Sequence, residues 1–234
     1  MNAQAVLRAV DAIGNPTDAE FLQRFFKTGK GEYAEGDIFV GARIPGIRKV
    51  AKQYKELSLD EIQTVLESPI HEHRMCALII MVLKAKSAKE GELKLLYEMY
   101  LDNTDRINNW DLVDVTCRDI VGKYLQDKPR DPLYELVKSS DLWERRIAMV
   151  TTWWFIRDGD LDDTFALATI LLNDKHDLIH KAVGWMLREA GKKDEARLRE
   201  FLDEHAAEMP RTMLRYSLEK LHSEDKRYYM RIKA

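Results

Sequence analysis

Asn109-Trp110-Asp111-Leu112-Val113-Asp114 sits where a helix is expected to begin, in the middle of an array of similar helices. Trp110 and Asp114 are four residues apart, so on a helix they share one face. Working outward, comparable apolar helices open around Arg74, Arg146 and Lys181. Arg74 to Trp110 and Trp110 to Arg146 are each 36 residues, and Arg146 to Lys181 is 35. A period in the mid-thirties with two helices per unit predicts a helical solenoid, because one unit alone cannot bury its apolar stripe. Equivalent positions then line one side of a curved array. The residues there, Arg74, Trp110, Arg146 and Lys181, are cations and an aromatic, which suits a polyanion.

The rest of the chain agrees with an all-α class. Nearly every segment has a period of 3.6. Helices are expected at 3–13, 18–28, 46–57, 60–67, 71–86, 89–101, 109–125, 131–138, 142–157, 161–173, 176–190, 194–207 and 211–222. Thr17-Asp18-Ala19-Glu20 and Ser58-Leu59-Asp60-Glu61 read as capping boxes. Pro45, Pro132 and Pro210 suit first turns, and Gly159 and Gly191 suit left-handed helix ends. Thr28 to Asp37, rich in Gly and charge, reads as a mobile connector. Residues 1–234 are treated as a single repeat domain.

Composition narrows the function classes. The chain has 234 residues, 33% charged and 45% hydrophobic, as in an ordinary globular protein. Its longest clearly apolar run, Met75 to Leu83, falls far short of the roughly 20 residues of a membrane span. With no signal-peptide core at the N-terminus, the expected location is the bacterial cytosol or nucleoid. Cys76 and Cys117 lack metal-ligand spacing and read as reduced core thiols. His71-Glu72-His73 splits its imidazoles across a helix, and His176 and His180 have no third ligand, so neither a metal nor a cofactor is expected. No nucleophile motif, dinucleotide fingerprint or phosphate loop is present.

The net charge of −3 argues against a nucleic-acid partner, and its distribution argues for one. Ile38 to Lys55 holds Arg43, Arg48, Lys49, Lys52 and Lys55 and no acid. The segment after Pro210 carries Arg211, Arg215, Lys220, Lys226, Arg227, Arg231 and Lys233 against three acids. These are either solvated faces or a basic surface for phosphates. Asp114 likewise has two readings: an i,i+4 partner of Arg118, or a carboxylate beside Trp110 placed to stabilise a cation. Lys181 and Trp185 repeat the four-residue spacing. Phe25 and Phe26, flanked by Arg24 and Lys27, are core or a stacking edge, and periodicity does not decide between them.

The chain resembles the AlkD-like DNA alkylation repair glycosylases, built of HEAT-like repeats. The resemblance rests on residues 109–114, on Leu142-Trp143-Glu144-Arg145-Arg146-Ile147-Ala148, on His180-Lys181-Ala182-Val183-Gly184-Trp185-Met186-Leu187-Arg188-Glu189, and on Met209-Pro210-Arg211-Thr212-Met213-Leu214-Arg215-Tyr216, and it spans essentially the whole length. It implies an α-α superhelix with a concave basic face, acting as a monomer on double-stranded DNA. The family's catalytic carboxylate falls on Asp114, its aromatics on Trp110 and Trp185, and its arginine on Arg146. Phe25 stands where the family has a tyrosine. Arg43, Arg48, Lys181, Arg211 and Arg215 are the further expected DNA contacts. The implied reaction is release of N3- and N7-alkylated purines. The alternative is a non-catalytic solenoid that scaffolds proteins or binds unusual DNA structures.

Overall fold

The computed structural model describes residues 1–232, so Lys233 of the basic tail lies outside the described residues. Among the described residues there is no strand; a single parallel bridge joins Ile38 and Ile70. None of the helices among the described residues is long and apolar enough to cross a membrane. The helices fall into two compact units, one running from Met1 to Ile120 and one beginning at Val121.

The first unit contains α1 (Ala3–Asp11), α2 (Pro16–Phe25), α3 (Ile44–Gln53), α4 (Leu59–Leu66), α5 (His71–Ser87), α6 (Glu90–Asp102) and α7 (Trp110–Cys117). Helix α5 is its axis. It packs against α1, α3, α4, α6 and α7, and its run Met75 to Val82 is buried on all sides. That explains why it carries no polar stripe: a helix surrounded by neighbours has no solvent face to mark. Leu78, Ile80 and Met81 of α5 are fully buried, as are Ile62 and Leu66 of α4, Leu96 of α6 and Leu112 of α7, the helices packed against it. Each such aliphatic side chain contributes roughly 1.5–3 kcal/mol on burial.

The second unit contains α8 (Lys123–Leu125), α9 (Asp131–Leu136), α10 (Leu142–Thr151), α11 (Trp153–Arg157), α12 (Asp162–Ile170), α13 (Asp177–Gly191), α14 (Glu195–His205), α15 (Arg211–Ser217) and α16 (Ser223–Arg231). Here α13 is the axis, packed by α10, α12, α14 and α15. Its buried residues Ile179, Ala182, Val183, Met186, Leu187 and Ala190 follow the helical period and leave Lys181 and Trp185 half-exposed.

A repeated device marks the repeat. At the fourth position of α5, α10 and α13, a basic side chain folds back on the carbonyl six residues earlier. Arg74 donates to Ser68, Arg145 to Ser139 and His180 to Asp174. Each contact satisfies a carbonyl in the turn before its helix. In α10 the matching residue is thus Arg145, one position before the Arg146 suggested by spacing.

Several local expectations are revised. Helix α2 begins earlier than predicted: Asn15 caps it by accepting from the Asp18 amide, with Pro16 in the first turn, so Thr17 is not the cap. Ser58 flanks α4 without a side-chain cap, and the Glu61 carboxylate, the other half of the expected capping box, accepts from the Ala3 amide at 2.5 Å. Gly159 has φ +84° as expected, whereas Gly191 continues α13. The helix expected over 109–125 passes through a π-helical segment at Arg118–Gly122. The one expected over 142–157 breaks at Thr152, whose hydroxyl donates to Met149 O. Helix α16 was not expected, since only Tyr229 of its nine residues is buried. Thr28 to Asp37 forms hydrogen-bonded turns, with the Gly29 and Gly31 amides donating to the carboxylates of Glu32 and Glu35.

Candidate nucleic-acid interface

In the first unit the expected residue Trp110 opens α7, where the Asn109 side chain accepts from its backbone amide at 2.9 Å. Its ring is half-buried. Phe26 stacks near it at 5.2 Å and 24°, and Phe25 meets it edge-on at 6.1 Å. The structure therefore separates the two phenylalanines that periodicity left together: Phe26 is core at 6% exposure, and Phe25 is 51% exposed. Phe21, one turn before Phe25 on α2, stacks on it at 5.8 Å and is exposed as well. Arg43 lies 5.4 Å from the Phe21 ring centroid and pairs with Asp18 at 2.6 Å. That hydrogen bond holds the Asp18 carboxyl below its usual range. The outcome is an aromatic edge of two exposed rings and a half-exposed indole, with a guanidinium beside it.

Asp114 lies one turn after Trp110 and is half-buried. It is close enough to Tyr100 for its charge to add to the burial that drives the Tyr100 phenol well up. Arg118, its sequence neighbour at i+4, places its Nε 3.3 Å from Asp119.

The position of α7 is fixed by a buried polar hub that spacing alone did not reveal. His71 Nδ1 lies 2.9 Å from Asp37 Oδ2, and its Nε2 lies 2.9 Å from Asp111 Oδ2. Both nitrogens face carboxylates, so both carry protons. Burial opposes that charge, but Asp111 and Asp37 outweigh burial and lift the His71 pKa to about 9. For Asp37, burial is likewise outweighed, by the bond from His71 and the charge of Arg74, and its pKa falls below the ordinary value. Arg74 donates to Asp37 at 2.6 Å, to Asn108 Oδ1 at 3.0 Å and to the Arg106 carbonyl at 3.1 Å. Next in sequence, Glu72 accepts from the amides of Val40, Gly41 and Ala42. Gly41 has φ +81°, and a Cβ there would sit 2.0 Å from Asn15 O, so no other residue fits. His73 bonds Ser68 and Asp11. The run His71-Glu72-His73-Arg74 is thus the fastening of α1, the 37–42 loop and the start of α7 to α5. Among the described residues, no group of three or more His, Cys, Asp or Glu side chains is arranged to hold a metal ion.

In the second unit, Lys181 pairs with Asp177 at 2.7 Å, and Trp185 stands one turn further along α13, half-exposed. Arg146 is 5% exposed, and its Nη1 donates to the Leu178 carbonyl, so its guanidinium is turned into the unit rather than displayed to solvent. Arg211 is exposed and donates to the Ile232 and Met230 carbonyls, tying α15 to the end of α16. Arg215 is exposed near Tyr216. Arg48, on α3 of the first unit, is exposed. Sequence reasoning missed Phe21, Phe39, His71 and Asp111. Of these only Phe21 had a local signal, its i,i+4 spacing from Phe25.

With this geometry in place, comparison with known proteins is informative. The model of a family described as DNA alkylation repair enzyme matches residues 6–221. No curated protein matches the chain. A solved structure described as a predicted DNA alkylation repair enzyme from Enterococcus faecalis is similar, with a TM-score of 0.70 at 17% identity, over 90% of this chain and 97% of that one. A structure titled AlkD2 from Streptococcus mutans has a TM-score of 0.51 at 18% identity, covering 98% and 95%. At such identities the solved structures speak to fold alone.

Proposed function

The chain belongs to the DNA alkylation repair enzyme family, and from that premise we propose that it is a DNA glycosylase releasing N3- and N7-alkylated purines from duplex DNA. Its partner is DNA, as its family implies. A purine alkylated at N3 or N7 is cationic and leaves without a general acid. What the protein must supply is negative charge for the sugar cation and a site for the attacking water. Asp114 is the proposed source of both, through electrostatics aimed at developing charge and a modest contribution as base.

The observation that carries this reading is the pairing on α7 of a half-buried carboxylate with a half-exposed indole one turn before it. A fully buried acid is unable to meet a substrate, and a fully exposed one is screened. Trp110, braced by Phe26, and Trp185 are the proposed aromatic surfaces for the cationic nucleotide, each worth about 0.5–2 kcal/mol. Phe25 offers a ring face without a hydroxyl. Lys181, Arg43, Arg48, Arg211 and Arg215 are the proposed phosphate contacts. The burial of Arg146 supports a different role for it: holding the first turn of α13, which carries Lys181, through the Leu178 carbonyl.

The test is base release from methylated duplex DNA at two salt concentrations. Release of 3-methyladenine or 7-methylguanine is expected, weaker at the higher salt because phosphate contacts displace counterions. Uracil, a neutral base, should stay attached. Absence of any base release, or efficient uracil release, would contradict the proposal.

A further inference from the structure

His71, the first residue of α5, reaches the start of α7 by two routes. The polar route is the contact of its Nε2 with Asp111 Oδ2 at 2.9 Å. The aromatic route is a run of rings. Phe39 lies on the imidazole at 4.4 Å and 23°, Phe26 lies on Phe39 at 5.1 Å and 12°, and Trp110 lies on Phe26 at 5.2 Å and 24°. We propose that His71 is a positioning residue for base release, its imidazolium holding the first turn of α7 so that Trp110 and Asp114 meet the substrate. The inference rests on the function proposed above, and His71 itself touches no substrate.

Asp111 is the inward anchor of that turn. Its side chain is 12% exposed, whereas Trp110 before it and Asp114 after it are half-buried. Within one hydrogen-bonded helical turn the three residues move together, so a displaced Asp111 displaces the other two. A misplacement of about 1 Å is able to cost roughly a hundredfold in rate.

The arrangement depends on the proton. An imidazolium gives each carboxylate an N–H, while a neutral ring keeps one N–H and turns a lone pair on the other carboxylate. Either tautomer therefore breaks one of the two contacts. Asp37 has no room to retreat: its side chain is 3% exposed, and Arg74 holds its other oxygen at 2.6 Å. The displacement falls on the ring and on Asp111, and through them on α7. No other charge near the ring takes over. Glu72 and Arg43 line the cavity beside it, but Glu72 is engaged by the amides of Val40, Gly41 and Ala42, and Arg43 pairs with Asp18. From α2 the ring meets only the apolar Phe26. Burial works against the proton, Asp111 and Asp37 outweigh burial, and the ring stays charged up to about pH 9.

The test compares wild type with Asp111→Asn between pH 7 and pH 10, the fold being checked at each pH by circular dichroism. Single-turnover release of 7-methylguanine from duplex DNA is measured at saturating protein, with release in the absence of protein subtracted. The wild-type rate is expected to fall about tenfold from pH 8 to pH 10, following the fraction of charged His71. Asp111→Asn puts an amide where Oδ2 stands. That amide donates to a neutral Nε2 while Nδ1 keeps its proton for Asp37. The contact then needs no charge, so the variant's profile should be flat over the same range, whatever its absolute rate. A second readout needs no DNA: in protein labelled with 5-fluorotryptophan, the Trp110 fluorine resonance, assigned by its loss in Trp110→Phe, should titrate with a midpoint near pH 9 in the wild type and stay still in Asp111→Asn. A flat wild-type rate profile, an alkaline fall that persists in Asp111→Asn, or a Trp110 resonance unmoved from pH 7 to pH 10 would overturn the inference. Absence of release at every pH refutes the glycosylase function instead, and the fluorine titration then decides by itself whether His71 sets Trp110.

Discussion

His71 gives the account its most quantitative consequence. The imidazolium is 2% exposed and held between two carboxylates at 2.9 Å each. Its pKa is about 9 in the fold against 6.5 for the free side chain. A raised pKa contributes stability that is complete below the unfolded value and is lost as pH climbs through the folded one. The window is therefore pH 6.5 to 9, in which the folded protein holds one more proton than the unfolded chain. The slope there is about −1.4 kcal/mol per pH unit, and the whole effect is roughly 3 kcal/mol. His71→Gln removes it and leaves Asp111 without its charged partner, while Asp37 keeps Arg74. Breaking a buried pair costs about 3–5 kcal/mol, and the residual exposure of Asp111 favours the lower end. Urea unfolding of wild type and variant at half-unit steps from pH 6.5 to 10 measures this. The gap between the two proteins should be about 3 kcal/mol at pH 7 and close to about 1 kcal/mol or less by pH 10. A gap that stays constant over that range would show that His71 is not charged in the native state.

Three further outcomes test other parts of the structure. Gly184→Ala places a Cβ 2.5 Å from both Met213 O and Tyr216 Cβ; the overpacking cost of about 1–3 kcal/mol exceeds the roughly 1 kcal/mol gained in helix propensity, so thermal unfolding should move to lower temperature, and an unchanged or higher midpoint would contradict the close approach of α13 and α15. Asn15→Ala removes the α2 cap and should cost about 1 kcal/mol in urea titration, whereas Thr17→Ala, outside the cap position, should cost less. Phe25→Ala should leave stability nearly intact because the ring is 51% exposed, while weakening the affinity for alkylated DNA about tenfold in fluorescence anisotropy; the reverse pattern would make Phe25 a core residue.

How much of this was legible beforehand follows from where each signal resides. Helix α5 was placed correctly at its first residue, and α15 likewise, because apolar periodicity and proline are local. The start of α2 was misplaced because Thr17-Asp18-Ala19-Glu20 satisfies the capping pattern as well as Asn15-Pro16 does, and the backbone chose the earlier one. Helix α16 was invisible because a helix that buries one residue writes almost no hydrophobic pattern. Trp110 and Asp114 were legible as a pair because their relation is one helical turn. His71 was dismissed for the same kind of reason: its i,i+2 relation to His73 is local and uninformative, while its partners Asp37 and Asp111 lie 34 and 40 residues away. Repeat spacing and the family resemblance put Arg146 among the phosphate contacts, whereas its burial and its bond to the Leu178 carbonyl depend on the packing of α10 against α13, which spacing does not report. A residue's type and spacing report what it is able to do, and its long-range partners decide what it does.

The central claim is that one carboxylate on α7 meets the sugar cation. Single-turnover base release from 7-methylguanine duplex DNA by Asp114→Asn, run beside a binding titration on the same duplex, addresses it most directly. The account predicts a rate lower by roughly 10²–10³, with a dissociation constant near that of the unaltered protein. Wild-type rates in Asp114→Asn, or a rate loss fully matched by lost binding, would place the chemistry on another residue.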